Sequence, residues 1–414
     1  MRKIVAGLDV GSNSIKLVVG EVFRNKVNTL ACVDLVSRGI KNGYIVNPEN
    51  ATEVFEEAFS KASAMLGIPV KKVVVALPAF NLDSFMVQAS ITVVNQDHVI
   101  TKKDVKKVLD ASIFDKISPN MLKVYLTPIY YILNDVDKVS NPVGMSAEKL
   151  TVKAVLGVIP KKSVNPIIEC IKRIGVEVSD ITIGPMADYA YLRTKETDEK
   201  IGAVINMGAS NTTVSIFNKG VLTASEVLEI GGSDFDKDIC YMYKIGKEDA
   251  LGLKKNMCLA NVENAQASEM VIIKNKNDNE IRINQYDISD ICMQRLIEIL
   301  NLCKKQINLL TKKKISYIIV TGGVTEFSDF SITLNSQFDQ DVEIGQVTEI
   351  GVRNNKYVTA FGLIRYEYNE MKINNTEYSI YSLEEQEEFS GLHRKVNITD
   401  NSVLGKLFGY FFDN

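Results

Sequence analysis

Residues 4–27 read IVAGLDVGSNSIKLVVGEVFRNKV, and residues 201–222 read IGAVINMGASNTTVSIFNKGVL. When Asp9 is aligned with Asn206, a glycine follows two positions later in both copies. Each copy predicts an apolar strand, a tight glycine turn, a second strand rich in β-branched residues, and a further strand after an Asn-Lys pair. The sequence therefore predicts a β-hairpin meander that is repeated in two halves of the chain.

Amphipathic helical patterns accompany these hairpins. In residues 48–68, PENATEVFEEAFSKASAMLGI, apolar side chains recur at three- and four-residue spacing, and Gly67 supplies a stop. Similar patterns occur at residues 231–243 and 288–310. Helices that cover sheets of this kind indicate an α/β fold.

Residues 84–160 have a different pattern. Strands are predicted at residues 84–94, 122–135 and 149–160, around one helix at residues 101–114. We interpret this region as an inserted α+β subdomain.

Bulk composition limits the function. The net charge of -3 and the pI of about 5.7 give no basic surface for nucleic acid. Six scattered cysteines without a CxxC pair, and only two histidines, argue against zinc, disulfide and histidine-based catalytic sites. No window is apolar enough for a spanning helix and no signal peptide is visible, so we expect a cytoplasmic protein.

The first glycine turn, DVGSNSIK at residues 9–16, has the residues of a phosphate site. Backbone N–H groups, serine and asparagine side chains and Lys16 are donors to an anion, and Asp9 can hold a hydrated Mg²⁺. A single turn of this kind is more often an ordinary hairpin. Two further glycine turns, NMGASNTT at residues 206–213 and VTGGVTEF at residues 320–327, favour a nucleotide site between two halves.

The order of these motifs resembles the actin, Hsp70 and sugar kinase superfamily, whose ATP lies between two ribonuclease H-like domains. Within it, the chain is similar to the FtsA family of bacterial cell-division proteins. The stretch NPVGMSAEKL at residues 141–150 closes the insertion as in that family, and the insertion occupies the place of its 1C subdomain. The chain lacks GxxxxGK[ST] and GxGxxG, so neither a P-loop nor a dinucleotide site competes.

The resemblance implies an actin-like fold with the following parts: subdomain 1A at residues 1–83 and 161–190, subdomain 1C at 84–160, subdomain 2A at 191–234 and 316–368, subdomain 2B at 235–315, a disordered linker at 369–400 and a membrane-targeting amphipathic helix at 401–414. It also implies the site residues. Asp9 and Asn206 take the catalytic positions, with Asp9 at the metal. The nucleotide-binding positions are Gly11, Ser12, Asn13, Lys16, Gly208, Ala209, Ser210, Asn211, Gly232, Lys254, Gly322, Gly323 and Val324.

One departure from the family concerns catalysis. The family usually has Asp-x-Gly-Gly-Gly at the second motif, whereas this chain has Asn206-Met-Gly-Ala-Ser. Asn206 lacks the charge that would hold Mg²⁺ or orient a water. We therefore expect ATP and Mg²⁺ as cofactors, with at most weak ATPase activity.

The C-terminal residues 402–413 form an amphipathic pattern. On a helix, one face is apolar and comprises Val403, Leu404, Leu407, Phe408, Phe411 and Phe412. Such a helix either packs on its own protein or lies in a membrane interface, and the Asn- and Glu-rich span before it favours the membrane. Filament formation would make many weak attachments firm.

These patterns lead to one functional interpretation. The resemblance implies a protein that polymerises and tethers FtsZ filaments, through the FtsZ C-terminal tail, to the cytoplasmic face of the cell membrane at the division site, together with other divisome proteins and without nucleic acid. A sugar kinase is a weaker alternative because Asn206 offers no base. A PilM-like scaffold of a pilus or secretion assembly remains the serious alternative.

Overall fold

A computed structural model describes residues 3–23, 26–95, 97–338, 341–349, 352–374 and 379–381, and the side chains among them except those of 373 and 374. The predicted helix at 401–414, with all six of its apolar-face residues, and most of the predicted linker (residues 375–378 and 382–400) lie outside these residues. In the described part, no helix is both long and apolar enough to cross a membrane.

Among the described residues, the first half of the chain contains fifteen helices and strands. They are β1 (Lys3–Val10), β2 (Ser14–Phe23), β3 (Lys26–Val36), β4 (Ile40–Lys41), β5 (Tyr44–Ile45), α1 (Pro48–Leu66), β6 (Lys72–Leu77), β7 (Asp83–Thr92), α2 (Lys102–Ile113), β8 (Met121–Leu133), β9 (Asp137–Val139), β10 (Lys149–Pro160), α3 (Lys161–Arg173), β11 (Glu177–Ile183) and α4 (Gly184–Leu192).

The part of the second half that the structure describes adds twelve more elements and four short 3₁₀ turns. The elements are β12 (Ile201–Met207), β13 (Thr212–Asn218), β14 (Val221–Leu228), α5 (Gly232–Tyr243), α6 (Lys247–Met257), β15 (Met270–Lys274), β16 (Glu280–Asn284), α7 (Gln285–Leu310), β17 (Tyr317–Thr321), α8 (Phe330–Gln337), β18 (Val342–Ile344) and α9 (Val358–Asn374). The 3₁₀ turns are Thr197–Glu199, Val262–Asn264, Gly323–Glu326 and Asn355–Tyr357.

The two predicted hairpins become matching five-stranded sheets. The first sheet has the order β11-β6-β1-β2-β3 and the second has β14-β13-β12-β17-β18. In each, an antiparallel meander of three strands is extended by two parallel strands. Asp9 pairs with Lys16 across the first hairpin, and Asn206 pairs with Thr213 across the second. The predicted internal repeat is therefore present at the level of sheet topology.

Helix α1 shows why the local sequence signals were informative. The Asn47 side chain accepts a hydrogen bond from the Asn50 N–H, which satisfies a donor of the first turn. The helix ends at Gly67, whose φ of 77° is the left-handed conformation that glycine adopts without strain. The apolar face predicted for this helix is buried against the first sheet.

The insertion folds as a separate small sheet. Strands β7, β10, β8 and β9 lie in that order, and α2 packs on them through a core of its own. Thr101 and Asp104 cap α2 reciprocally, which fixes where the helix begins.

The placement of α9 corrects two predicted boundaries. Residues 316–368 were predicted as one part of subdomain 2A, but α9 packs on β1, β2 and β6 of the first sheet and on α4. The predicted linker start at residue 369 lies inside α9, which continues to Asn374. Beyond it, Ile380 and Tyr381 are buried, and the Ile380 N–H donates to the Ile4 carbonyl at 2.9 Å. The chain thus stays on the first domain longer than its polar composition suggested.

Glu367 on α9 provides a pH-dependent test of this packing. Its side chain is buried, and burial, together with the negative charges of Asp180 and Glu370, raises its pKa from 4.5 to about 8. The folded protein holds this proton more tightly than the unfolded chain, so stability is lost as pH rises from 4.5 towards 8. We expect Glu367→Gln to raise the melting temperature at pH 8, by the equivalent of at most about 4 kcal/mol, with little change near pH 5.

The matched control for Glu367 is Glu57→Gln. Glu57 is an exposed carboxylate that pairs with Lys61 and Arg38. Differential scanning fluorimetry at both pH values should show a small effect of this control that is the same at each pH. A Glu367→Gln variant that behaves like the control would contradict the buried, proton-binding role of Glu367.

Candidate functional site

The first glycine turn carries an ion pair at its base. Lys16 Nζ lies 3.2 Å from Asp9 Oδ2, and their side chains are 12% and 19% exposed. The turn places both residues at the ends of paired strands, so the charges sit directly below the turn. Partial burial strengthens their interaction relative to a surface pair.

The backbone of this turn is held from its carbonyl side. Ser37 donates through its hydroxyl to the Gly11 carbonyl and through its N–H to the Asn13 carbonyl. The Ser12 hydroxyl oxygen accepts from the Gly43 N–H at 3.2 Å, which leaves the hydroxyl proton free to donate. Within the described chain, the N–H groups of Gly11, Ser12 and Asn13 have no acceptor. A row of unused donors is what an anion requires.

The second glycine turn repeats this arrangement. The Gly208 N–H closes the turn by donating to the Asn211 carbonyl at 2.9 Å. The N–H groups of Ala209, Ser210 and Asn211 find no acceptor among the residues that the structure describes. The Asn211 Oδ1 atom is also buried without a donor in that part of the chain. The N–H groups of Ala209, Ser210 and Asn211 therefore form a second row of three donors.

The N-terminus of α5 docks against the second turn. The N–H groups of Gly232 and Ser233 donate to the carbonyls of Gly208 and Ala209 at 2.9 and 2.7 Å. A Cβ on Gly231 would lie 2.6 Å from the Gly208 oxygen, so only glycine permits this approach. The N-terminal end of a helix is favourable for negative charge.

Lys254 lies at the same end of α5. Its Nζ donates to the Gly232 carbonyl at 2.8 Å and lies 2.6 Å from Asp236 Oδ1. The structure thus brings together Gly232 and Lys254, two residues that the sequence assigned to the same region of a nucleotide site.

The third glycine turn touches the second. Gly322 has a φ of 98°, and a Cβ there would lie 2.5 Å from both Asn206 Oδ1 and the Met207 carbonyl oxygen. Val324 is buried against Gly232, whereas Gly323 is exposed. Because these glycines allow backbone to meet backbone, the second and third turns and the start of α5 are parts of one continuous region.

Asp188 on α4 is the residue that sequence reasoning missed. It accepts hydrogen bonds from Asn206 Nδ2 at 2.7 Å and from Thr359 Oγ1 at 2.6 Å. Complete burial raises its pKa to about 7; the two hydrogen bonds oppose the shift, Asp9 adds to it and Lys16 opposes it. Asp188 therefore connects the base of the second turn to the first turn of α9. Its sequence signal was one carboxylate within the apolar stretch GPMADYAYL.

The acidic side chains of this region limit how a magnesium ion could be held. In the described part of the chain, no group of three His, Cys, Asp or Glu side chains could hold a metal ion. Mg²⁺ bound with a nucleotide needs only one or two carboxylates, because phosphates and waters supply the other ligands. Asp9, partly open beside the first turn, fits that requirement, whereas Asp188 is enclosed.

Comparison with known proteins identifies the family. The model of "Cell division protein FtsA" matches residues 203–362, and that of "SHS2 domain inserted in FTSA" matches residues 81–157. Together they cover more than half of the chain. The cell division protein FtsA of Bacillus subtilis (strain 168) is 25% identical over 366 residues, which is 88% of this chain and 83% of that protein.

Solved structures agree on the fold. The PilM-PilN type IV pilus biogenesis complex matches with a TM-score of 0.60 and 15% identity, over 87% of this chain and 97% of that chain. MreB5 of Spiroplasma citri bound to ADP matches with a TM-score of 0.57 and 14% identity, over 90% and 99%. Likeness to PilM at this identity supports an actin-like fold alone, while both matching family models are those of FtsA. The chain therefore belongs to the FtsA family of actin-like cell division proteins.

Proposed function

We propose that this cell division protein binds ATP with Mg²⁺ between its two matching domains. The observation that carries the proposal is the pair of donor rows, Gly11–Asn13 and Ala209–Asn211, whose N–H groups have no acceptor in the described chain. An anion with several oxygens, such as a polyphosphate, would satisfy both rows at once. The likeness to an MreB that was solved with ADP supports a nucleotide as that anion.

Specific residues would then act on the nucleotide. Lys16 would contribute a positive charge to the phosphates, and Asp9 would hold a water of the Mg²⁺ ion. Magnesium would neutralise the charge of the phosphate oxygens. Asn206 can accept a hydrogen bond from water but cannot take its proton, so turnover would be slow and nucleotide state would act as a structural switch.

Membership in the FtsA family supports the wider proposal. The protein would polymerise, bind the C-terminal tail of FtsZ through subdomain 2B, and attach FtsZ filaments to the cytoplasmic face of the membrane at the division site. The amphipathic sequence at residues 402–413 would supply the membrane contact. Further divisome proteins would join the same assembly.

Nucleotide binding is tested with the full-length protein and a fluorescent ATP analogue. We expect saturable, Mg²⁺-dependent binding that unlabelled ATP and ADP displace, and we expect Lys16→Ala to weaken it about 10-fold through loss of one phosphate contact. Lys200→Ala is the control because Lys200 pairs with Glu196 on the surface. Absence of saturable binding by the wild type would overturn the proposal.

Membrane attachment is tested by co-flotation with liposomes. Wild-type protein is expected to float with the vesicles, more so with Mg-ATP, because polymerisation multiplies weak attachments. Leu407→Glu combined with Phe408→Glu should leave the protein in the soluble fraction, since both changes put charge on the apolar face. If both proteins stay soluble with ATP present, the C-terminal segment does not bind membrane.

A further inference from the structure

Asp188, Asn206 and Thr359 form a polar cluster that joins three elements. Asp188 lies on α4, Asn206 at the end of β12, and Thr359 in the first turn of α9. Asp188 Oδ2 accepts from Asn206 Nδ2 at 2.7 Å, and Asp188 Oδ1 accepts from Thr359 Oγ1 at 2.6 Å. The ionised Asp188 carboxylate can only accept hydrogen bonds, so the nitrogen of the Asn206 amide faces it.

The cluster uses both N–H bonds of the Asn206 amide. Besides donating to Asp188, Asn206 Nδ2 donates to Thr359 Oγ1, with 3.3 Å between the two atoms. The oxygen of the same amide is consequently turned to the other side, where it lies beside Gly322. No donor to Asn206 Oδ1 exists among the described residues. The site thus holds a fixed acceptor oxygen next to the second and third glycine turns.

The chemistry of this oxygen limits what it can contact. It would repel a phosphate oxygen, but it accepts a hydrogen bond from water, including water bound to a cation. An aspartate in place of Asn206 would put two carboxylates in contact, and like charges at that distance cannot both stay ionised. Asn206 and Asp188 therefore form a matched pair, with the negative charge kept behind the amide.

We propose that Asp188 is a positioning residue that, with Thr359, fixes Asn206 Oδ1 as the acceptor for water on nucleotide-bound Mg²⁺. The proposal rests on the nucleotide binding proposed above and adds a role for a buried residue of α4. Asp188 acts through Asn206 and touches neither the nucleotide nor the cation.

The test compares ATP affinity with excess Mg²⁺ and with EDTA, by anisotropy of a fluorescent ATP analogue on the full-length protein. The ratio of the two dissociation constants is the Mg²⁺ enhancement. We expect Asp188→Asn to reduce this enhancement about 10-fold and to leave the affinity in EDTA unchanged, as for other residues that orient a metal's surroundings. Asp135→Asn, an exposed change on the insertion, should keep the wild-type enhancement.

Two further variants separate positioning from structural support. The single variant Asn206→Asp places two carboxylates in contact and should lose the Mg²⁺ enhancement. The double variant, which adds Asp188→Asn, again has one carboxylate and one amide in contact and should recover the enhancement. Thr359→Val removes one partner of Asn206 without changing charge and should also lower the enhancement. This variant decides the question if Asp188→Asn fails to fold.

The outcomes are distinct. Wild-type enhancement in Asp188→Asn, or an equal loss of affinity with and without Mg²⁺, overturns the positioning role. If the wild type binds no ATP under either condition, the proposed function itself fails and this inference falls with it.

Discussion

Replacing Gly362 by alanine is expected to destabilise the protein by about 2 to 3 kcal/mol or more, because it forces two helices apart. A Cβ on Gly362 of α9 would lie 2.0 Å from the carbonyl oxygen of Ala187 on α4, and 2.5 Å from its carbonyl carbon. These are backbone atoms, so no side-chain rotation relieves the overlap. Differential scanning fluorimetry should show a melting temperature lower by about 5 °C or more.

The control for Gly362 is the same substitution in another helix. Gly252 lies within α6 and has nothing within 4 Å of its Cβ position. Alanine there should be neutral or stabilise by about 0.5 to 1 kcal/mol, because alanine is the better helix former. If the two variants melt alike, the close crossing of α4 and α9 does not contribute to stability.

The hairpins were predictable because their signals are local. Strand alternation and a glycine within a few residues fix each turn, and the repeat at residues 201–222 confirms the pattern of residues 4–27. The same holds for α1, whose cap at Asn47 and stop at Gly67 lie next to the helix itself. In such cases the deciding contacts span few residues, and the sequence contains them directly.

The partner of α9 was not predictable in that way. Helical periodicity shows that a helix buries one face, but it does not say against which sheet. Two glycines inside strands carried the missing information: a Cβ on Gly7 would lie 2.8 Å from the Ala360 oxygen, and one on Gly20 would lie 2.8 Å from Ile364 Cδ1. A glycine in the middle of a strand indicates close approach of another segment without identifying it.

Asp188 escaped prediction for the same physical reason. Its partners Asn206 and Thr359 are 18 and 171 residues away along the chain. The family resemblance assigned nucleotide-binding roles to residues of the glycine turns. From the sequence alone, the replacement of the family's usual aspartate by Asn206 indicated only the loss of a negative charge. In the structure, the Asn206 amide donates to the buried Asp188 carboxylate. The missing charge at position 206 and the buried carboxylate at position 188 therefore belong to the same hydrogen-bonded cluster.

Replacing Gly322 by alanine is expected to abolish the effect of nucleotide on the protein. The residue has a φ of 98°, and its Cβ would overlap both Asn206 Oδ1 and the Met207 carbonyl at 2.5 Å. The third glycine turn would have to move away from the second, and with it Gly322, Gly323 and Val324, which the family resemblance assigns to nucleotide binding. The measurement is the rise in melting temperature caused by Mg-ATP, which we expect to be clear for the wild type and absent for Gly322→Ala.

Gly144→Ala is the matched control, because Gly144 has a φ of 86° but nothing within 4 Å of its Cβ position. It carries similar backbone strain without the overlap, so it should lower the melting temperature by a few degrees, the equivalent of about 1 kcal/mol, and keep the full response to Mg-ATP. A Gly322→Ala protein that is folded and still stabilised by Mg-ATP as much as Gly144→Ala would show that the nucleotide does not depend on this turn.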